Sequence, residues 1–116
     1  MAPRSSRDIY VQHILRIYRL MPGTTGHIRR SDRLLAASLH DRGIPLLTVS
    51  TALLLAAARR IFRSGEPLSP VAALHYITPL IDELLAQPSD PDYIDYLSRK
   101  LAPLAPDFAT AAHQLA

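Results

Sequence analysis

The sequence predicts one all-α domain over residues 1–116, a compact bundle of five to six helices. Apolar residues recur at helical spacing through most of the chain, whereas no segment alternates apolar and polar residues as a half-buried strand does. Asn-Gly hairpin turns do not occur. With 48% hydrophobic residues, a chain of 116 residues is long enough to bury one core.

The first helix is predicted over residues 6–20. Its apolar side chains form one stripe at helical spacing, made of Tyr10, Ile14, Ile17, Tyr18 and Met21. Arg16 and Arg19 fall on the opposite face. The segment 21–30 contains a Pro-Gly pair and cannot continue the helix.

The second and third helices form the centre of the predicted bundle. Ser31 is the predicted N-cap of the second helix, with Asp32 in its first turn, and Gly43 is its predicted end. Pro45 suits the first turn of the third helix, which we expect at about residues 46–63. This third helix is apolar on nearly every side, which is typical of a helix at the middle of a bundle.

A linker is predicted at about residues 64–69, before the fourth helix. Ser69 and Pro70 fit a cap and first helical position, and apolar residues keep helical register to about residue 86. Pro79 lies inside this pattern and should kink the helix or divide it in two.

Two more helices are expected near the end of the sequence. Asp90 and Pro91 fit a cap and first position before a helix over Tyr93–Leu101. A short final helix at about residues 106–115 begins at a proline.

Charge is divided unevenly along the chain. Residues 1–63 hold eleven arginines and three aspartates, a net +8, and residues 64–116 hold two cations and seven acids, a net −5, which agrees with +3 for the whole. A chain with such a basic half often presents a basic surface to a polyanion. The alternative is that a GC-rich genome favours arginine over lysine, and that the two halves of the chain neutralise each other in the fold.

Composition excludes several classes of protein. The chain has no cysteine, which rules out disulfides and thiolate zinc sites. Residues 1–10 contain no apolar segment of the signal-peptide type, and the most apolar run, 46–58, is too short to span a bilayer. We therefore expect a cytoplasmic protein with no membrane partner.

Motifs for catalysis or metal binding are missing from the sequence. The five histidines form no pair at i, i+4 spacing. Asp90, Asp92 and Asp95 lack the glycine and glutamate of a calcium loop, and helix capping explains them better. His75 and Tyr76 would point about 100° apart on a helix and could not act on one atom. We expect no enzyme, no cofactor and no small-molecule substrate.

Segment 38–56 has the residue spacing of a helix-turn-helix. Gly43 stands at the turn and Val49 follows six residues later, and the letters TVSTAL resemble a recognition helix of the lac-repressor type. Leu46 and Leu47, however, occupy positions where DNA readers present polar side chains. An ordinary helical hairpin has the same spacing.

A longer pattern covers residues 34–85. It consists of Gly43-Ile44, a helix with Val49, Ala52, Leu53 and Ala56, and then Tyr76, Ile77, Leu80 and Ile81. This resembles the carboxy-terminal helical module of DnaD-type replication-initiation proteins, although Pro79 lies inside the last helix and no acidic-aromatic tail follows. The resemblance implies a module that binds single- or double-stranded DNA and other subunits without catalysis.

The arginines are therefore the candidate binding residues for DNA or RNA. They form three groups: Arg29, Arg30 and Arg33, then Arg16 and Arg19, then Arg59, Arg60 and Arg63. Guanidinium groups suit phosphate, and with few aromatics available to stack bases we expect contacts that depend little on sequence. We expect this activity within a larger complex for replication or mobile-element DNA. Small basic subunits of CRISPR surveillance complexes have the same general character.

Two structural alternatives stay open. Arg59 and Arg63 could compensate a helix dipole and pair with the acidic half. Instead of binding nucleic acid, the chain could be a protein-interaction or self-associating module, with Tyr93, Tyr96, Leu97 and Leu101 as the docking surface. The same four side chains are equally consistent with a core.

Overall fold

Six α-helices and one 3₁₀ turn make up the part of the chain that the computed structural model describes, residues 5–113. They are α1 (Ser6–Leu20), α2 (Arg30–Asp41), α3 (Leu46–Ile61), the 3₁₀ turn (Leu74–Ile77), α4 (Thr78–Ala86), α5 (Pro91–Leu101) and α6 (Pro106–His113). Across these residues no strand forms beyond one isolated bridge between Thr24 and Val71. The predicted all-α bundle is confirmed.

Helix α3 lies at the centre, because it contacts α1, α4, α5 and α6. Its buried side chains run all round the helix, from Val49 and Ser50 through Ala58. The predicted central helix is thus confirmed, with its end at Ile61 rather than 63. Over residues 5–113 no helix combines the length and apolar character needed to cross a membrane.

Two helix ends follow from local sequence, as predicted. After α2, Gly43 takes φ +74°. The Gly43 N–H then bonds to the His40 carbonyl at 2.9 Å, and the Ile44 N–H bonds to the Leu39 carbonyl at 3.0 Å. This is a Schellman motif, which only a residue that tolerates positive φ can form. Before α5, the Asp90 carboxylate accepts from the Asp92 N–H at 2.8 Å. For α6, residues 114 and 115 of the prediction lie outside the described residues.

Contacts between their ends show how the first three helices are arranged, with α2 antiparallel to α1. The Tyr10 hydroxyl donates to the Ile44 carbonyl at 2.8 Å, and Arg7 pairs with Asp41 at 3.0 Å. The start of α1 therefore lies beside the end of α2 and the start of α3. At the opposite end, a Cβ on Gly23 would lie 3.0 Å from Nε of Arg60. The ends of α1 and α3 and the start of α2 thus meet at one end of the bundle, which we call the arginine end.

The predicted N-cap of α2 is wrong. Arg29 occupies the cap position, and its N–H donates to the Asp32 carboxylate at 2.8 Å, while Ser31 is exposed inside the first turn. The other oxygen of Asp32 accepts from the buried N–H of Leu74 at 2.9 Å. The Asp32 carboxylate therefore links the start of α2 to the distant 3₁₀ turn.

The predicted start of the fourth helix is also wrong. Pro70 does not begin a helix, because Val71 is held extended against the loop after α1. The Val71 N–H donates to the Gly23 carbonyl at 2.7 Å, and the Thr25 N–H donates to the Val71 carbonyl at 3.1 Å. Helix α4 starts only at Thr78, and Pro79 lies in its first turn, where a proline removes no helical hydrogen bond. Pro79 therefore lies at the start of α4, rather than inside a longer helix that it kinks or divides.

Candidate nucleic-acid interface

The first predicted group, Arg29, Arg30 and Arg33, lies exposed around the start of α2. None of the three guanidiniums forms an ion pair with another residue in the range 5–113. Cations at a helix start oppose the positive end of the helix dipole, so α2 gains no stability from them. Their charge is available to an external anion.

The second group, Arg16 and Arg19, lies at the same end of the molecule. Both side chains are exposed on α1, whose last turn lies beside the start of α2. The electrostatics of Tyr18 confirm that proximity: burial raises its pKa, the Asp32 carboxylate adds to the rise, and the Arg29 cation opposes it. Neither Arg16 nor Arg19 forms an ion pair in the described part of the chain.

The third group has partners within the protein. Arg59 lies 3.5 Å from Glu83, an acid of the second half, as one structural alternative expected. Arg60 donates to the Ser69 carbonyl at 2.7 Å and its guanidinium lies 5.5 Å from the centre of the Tyr76 ring.

Arg63 donates to the backbone carbonyl of Glu66 at 3.1 Å. Of the third group, only Arg59 is paired with a carboxylate. Arg60 and Arg63 have no carboxylate partner within residues 5–113, and each uses one N–H group to donate to a backbone carbonyl of the segment that follows α3.

The acids of residues 1–63 leave the arginine end with an excess of positive surface charge. Asp32 is fully buried and its two oxygens accept backbone N–H groups. Asp41 lies at the opposite end. Its hydrogen bond with Arg7 lowers the pKa of its carboxyl, and a second hydrogen bond with His40 lowers it further. Asp8 lies in the first turn of α1, also at the opposite end. No exposed carboxylate of this half therefore neutralises the free arginines.

The docking surface predicted on α5 divides into two parts. Leu97 and Leu101 are 5% and 0% exposed and belong to the core, so they are not available to a partner. Tyr93 and Tyr96 are half exposed and stack with 6.4 Å between ring centres. The sequence did not predict their neighbour across the surface, Phe62, because it lies at the end of another helix.

A groove between the end of α3 and α5 brings these tyrosines next to Phe62. The Lys100 ammonium lies 4.3 Å from the centre of the Phe62 ring and 5.8 Å from that of Tyr96. We call this groove the aromatic groove. The spacing of Tyr93 and Tyr96 was visible in the sequence, but nothing local linked them to Phe62.

The other residues considered in the sequence analysis, the possible metal ligands and the histidines, do not come together in a site within residues 5–113. No cluster of three or more possible metal ligands occurs in residues 5–113. His75 and Tyr76 are exposed on the 3₁₀ turn, and His27 is exposed in the loop before α2. In the signature that resembles the DnaD-type module, Tyr76 and Ile77 lie on the 3₁₀ turn, whereas Leu80 and Ile81 follow on α4.

No protein-family model, curated protein or solved structure matches the chain. The function must therefore be inferred from the side chains at the surface. Chief among them are five exposed arginines of α1 and the start of α2 that form no ion pair within residues 5–113, namely Arg16, Arg19, Arg29, Arg30 and Arg33.

Proposed function

We propose that this protein is a non-enzymatic subunit that binds DNA or RNA mainly through phosphate contacts, with little dependence on sequence. The observation that supports this most directly is the group of unpaired arginines at the arginine end. Guanidiniums bind phosphate oxygens in a bidentate manner, and backbone contacts position a protein without reading bases. A larger complex that handles replicating or mobile-element DNA, or a CRISPR-type complex, is the proposed setting.

The burial of α3 argues against sequence readout by a helix-turn-helix. A recognition helix has to be exposed and to protrude from the protein in order to enter a major groove. Helix α3 is instead covered by four other helices, and Val49, Leu53 and Ala56 are at most 2% exposed. The similarity of its sequence to a recognition helix is therefore best explained by core packing.

The test compares two triple variants that remove the same charge. One replaces Arg29, Arg30 and Arg33 by Ala, and the control replaces by Ala three exposed arginines elsewhere, Arg7 at the start of α1, Arg42 after the end of α2 and Arg99 on α5. Binding to a mixed-sequence duplex oligonucleotide is measured by fluorescence anisotropy across salt concentrations. Each lost phosphate contact lowers the slope of log K against log salt by about 0.9, so the first variant should lose about 2.7 of slope.

The control variant should keep most of the wild-type slope, because its arginines are not expected to contact phosphate. Equal losses in the two variants would mean that net charge alone drives binding, and the proposed interface would be wrong. Far-UV circular dichroism of both variants checks that the helices are intact.

A helical adaptor with no nucleic-acid contact is the second candidate. It is favoured by Leu47 and Leu85, which are 51% and 46% exposed and line an apolar groove of about 340 Å³ beside the start of α5. This candidate predicts no salt-dependent binding by the wild type and no effect of either arginine triple. Light scattering adds a second measurement, since a single-chain mass at every concentration would exclude self-association.

A further inference from the structure

The aromatic groove brings three exposed rings and three cations together on one surface. It has a volume of about 390 Å³ and is lined by Phe62, Tyr93, Tyr96, Arg59, Arg63 and Lys100 among others. The three rings are 37%, 51% and 50% exposed. The chain has only two phenylalanines and five tyrosines, so nearly half of its aromatic residues meet at this one surface.

We propose that this groove binds a single-stranded nucleic acid, with bases stacked on Phe62, Tyr93 and Tyr96 and phosphates contacted by the neighbouring cations. Such grooves combine aromatic rings, on which any base can stack, with positive charge that follows the backbone. The proposal rests on the proposed function, because it names the form of nucleic acid that the protein prefers. It adds a site separate from the free arginines.

The charge of the groove supports a polyanion as its occupant. Residues 64–116 carry a net −5, yet the lining contains three cations and no carboxylate. Lys100 has no ion pair among residues 5–113 and contacts only the faces of two rings. A cation over an exposed ring remains largely hydrated and can exchange that contact for a phosphate.

The ion pair of Arg59 does not close the groove. Its side chain and that of Glu83 are 60% and 61% exposed, and the closest atoms are 3.5 Å apart. Exposed pairs of this kind contribute little to stability, so a phosphate can compete for the guanidinium. Arg63 uses one nitrogen on the carbonyl of Glu66 and has others left to donate.

A single strand fits the rings better than a duplex does. In a duplex the faces of the bases are covered by their neighbours, whereas a single strand offers them for stacking. An apolar helix of another protein would gain nothing from the three cations. The apolar groove beside the start of α5 lacks both features, since its lining contains Asp95 and neither an aromatic residue nor a cation.

The deciding experiment replaces both tyrosines, Tyr93 and Tyr96, by Leu in one variant and by Phe in another. The probe is a labelled oligothymidylate of about 12 nucleotides, within the range that small single-strand sites cover. The Leu variant should bind it at least about thirtyfold more weakly, because two stacking surfaces are lost. The Phe variant keeps the rings and should bind within about twofold of wild type.

Two controls separate the groove from the rest of the molecule. Duplex affinity should be the same in the Leu variant and the wild type. A variant with Leu47 and Leu85 replaced by Ala removes side chains of similar exposure from the apolar groove and should keep oligothymidylate affinity. Because the chain has no tryptophan, tyrosine emission should be quenched by oligothymidylate in the wild type and less so in the Leu variant.

The outcomes distinguish this proposal from the one on which it rests. If the Leu variant binds oligothymidylate as the wild type does, while the Arg29, Arg30 and Arg33 triple loses duplex binding, the groove proposal is overturned and the proposed function stands. A wild type that binds neither probe overturns both. If a polyglutamate peptide binds the groove more tightly than oligothymidylate does, the occupant is an acidic protein segment and the proposal is wrong.

Discussion

Asp32 shows at the scale of one residue how a side chain can be placed correctly by sequence and still have an unforeseen role. The sequence puts it in the first turn of α2, where its charge favours the helix dipole. In the fold it is fully buried and accepts from the N–H groups of Arg29 and Leu74. The second partner is 42 residues away, so no local pattern could have revealed it.

Replacing Asp32 by Ala should therefore lower the free energy of unfolding by about 2–4 kcal/mol, because two N–H groups lose a charged acceptor. Asp32→Asn should lose less, since its carbonyl oxygen can still accept from Leu74. Urea denaturation measures both. Ser31→Ala is the matched control, and a larger loss there than at Asp32 would restore Ser31 as the cap.

The partners of the arginines at the candidate site were likewise not predictable from the sequence. Their positions along the chain predicted three groups, but the sequence could not tell which guanidiniums have partners. Arg59 pairs with Glu83 and Arg60 donates to the Ser69 carbonyl, whereas the guanidiniums of Arg29 and Arg30 form no ion pair within residues 5–113. The difference depends on which segments pack beside α3, and that is a property of the tertiary fold.

At the scale of helices, the boundaries that depend on local chemistry were predictable and those that depend on tertiary contacts were not. Gly43 ends α2 and Asp90 caps α5 through bonds within a few residues. The start of α4 was misplaced because Val71 pairs with the loop at Gly23. A serine followed by a proline indicates a helix start only where no distant segment forms hydrogen bonds with the same backbone groups.

The end of α2 gives a test of such a local signal. Gly43→Ala should destabilise the protein by about 1–2 kcal/mol, because an alanine is strained at φ +74°. No atom lies within 4 Å of the added Cβ, so backbone strain is the expected cause rather than a clash. Gly43→Asn should lose less, since asparagine tolerates this conformation. Urea denaturation that finds the Ala variant as stable as wild type would contradict this explanation.

For the whole molecule, the division into basic and acidic halves did not predict how charge is arranged on the surface. The free arginines of α1 and α2 do gather at one end, but Lys100 of the acidic half joins Arg59 and Arg63 around the aromatic groove. A content of 6% aromatic residues suggested that stacking was unimportant. Folding concentrates those few rings, so their surface density at one place is far above the average for the chain.

Global stability should decline at alkaline pH because of two buried tyrosines. Burial raises the pKa of Tyr10 to about 12 and also raises that of Tyr18. An unfolded chain loses these protons near pH 10, the ordinary value, while the native protein still holds them. The unfolded state then binds fewer protons, so stability is full below about pH 10 and falls as pH rises toward 12. The expected slope is about 1.4 kcal/mol per pH unit for Tyr10 between about pH 10 and 12, and Tyr18 makes the decline steeper.

Tyr10→Phe separates the two contributions. At neutral pH it should lose about 1 kcal/mol, because the hydroxyl donates to the buried carbonyl of Ile44 at 2.8 Å. Above about pH 10 its decline should be shallower than that of the wild type, with Tyr18 responsible for what remains. Urea denaturation at several pH values between about 8 and 11 measures the slopes, and Tyr76→Phe, at an exposed ring, should decline as the wild type does. An equal decline in the Tyr10 variant would mean that another group governs alkaline unfolding, since the proton held by Tyr10 could then not be the one that links stability to pH.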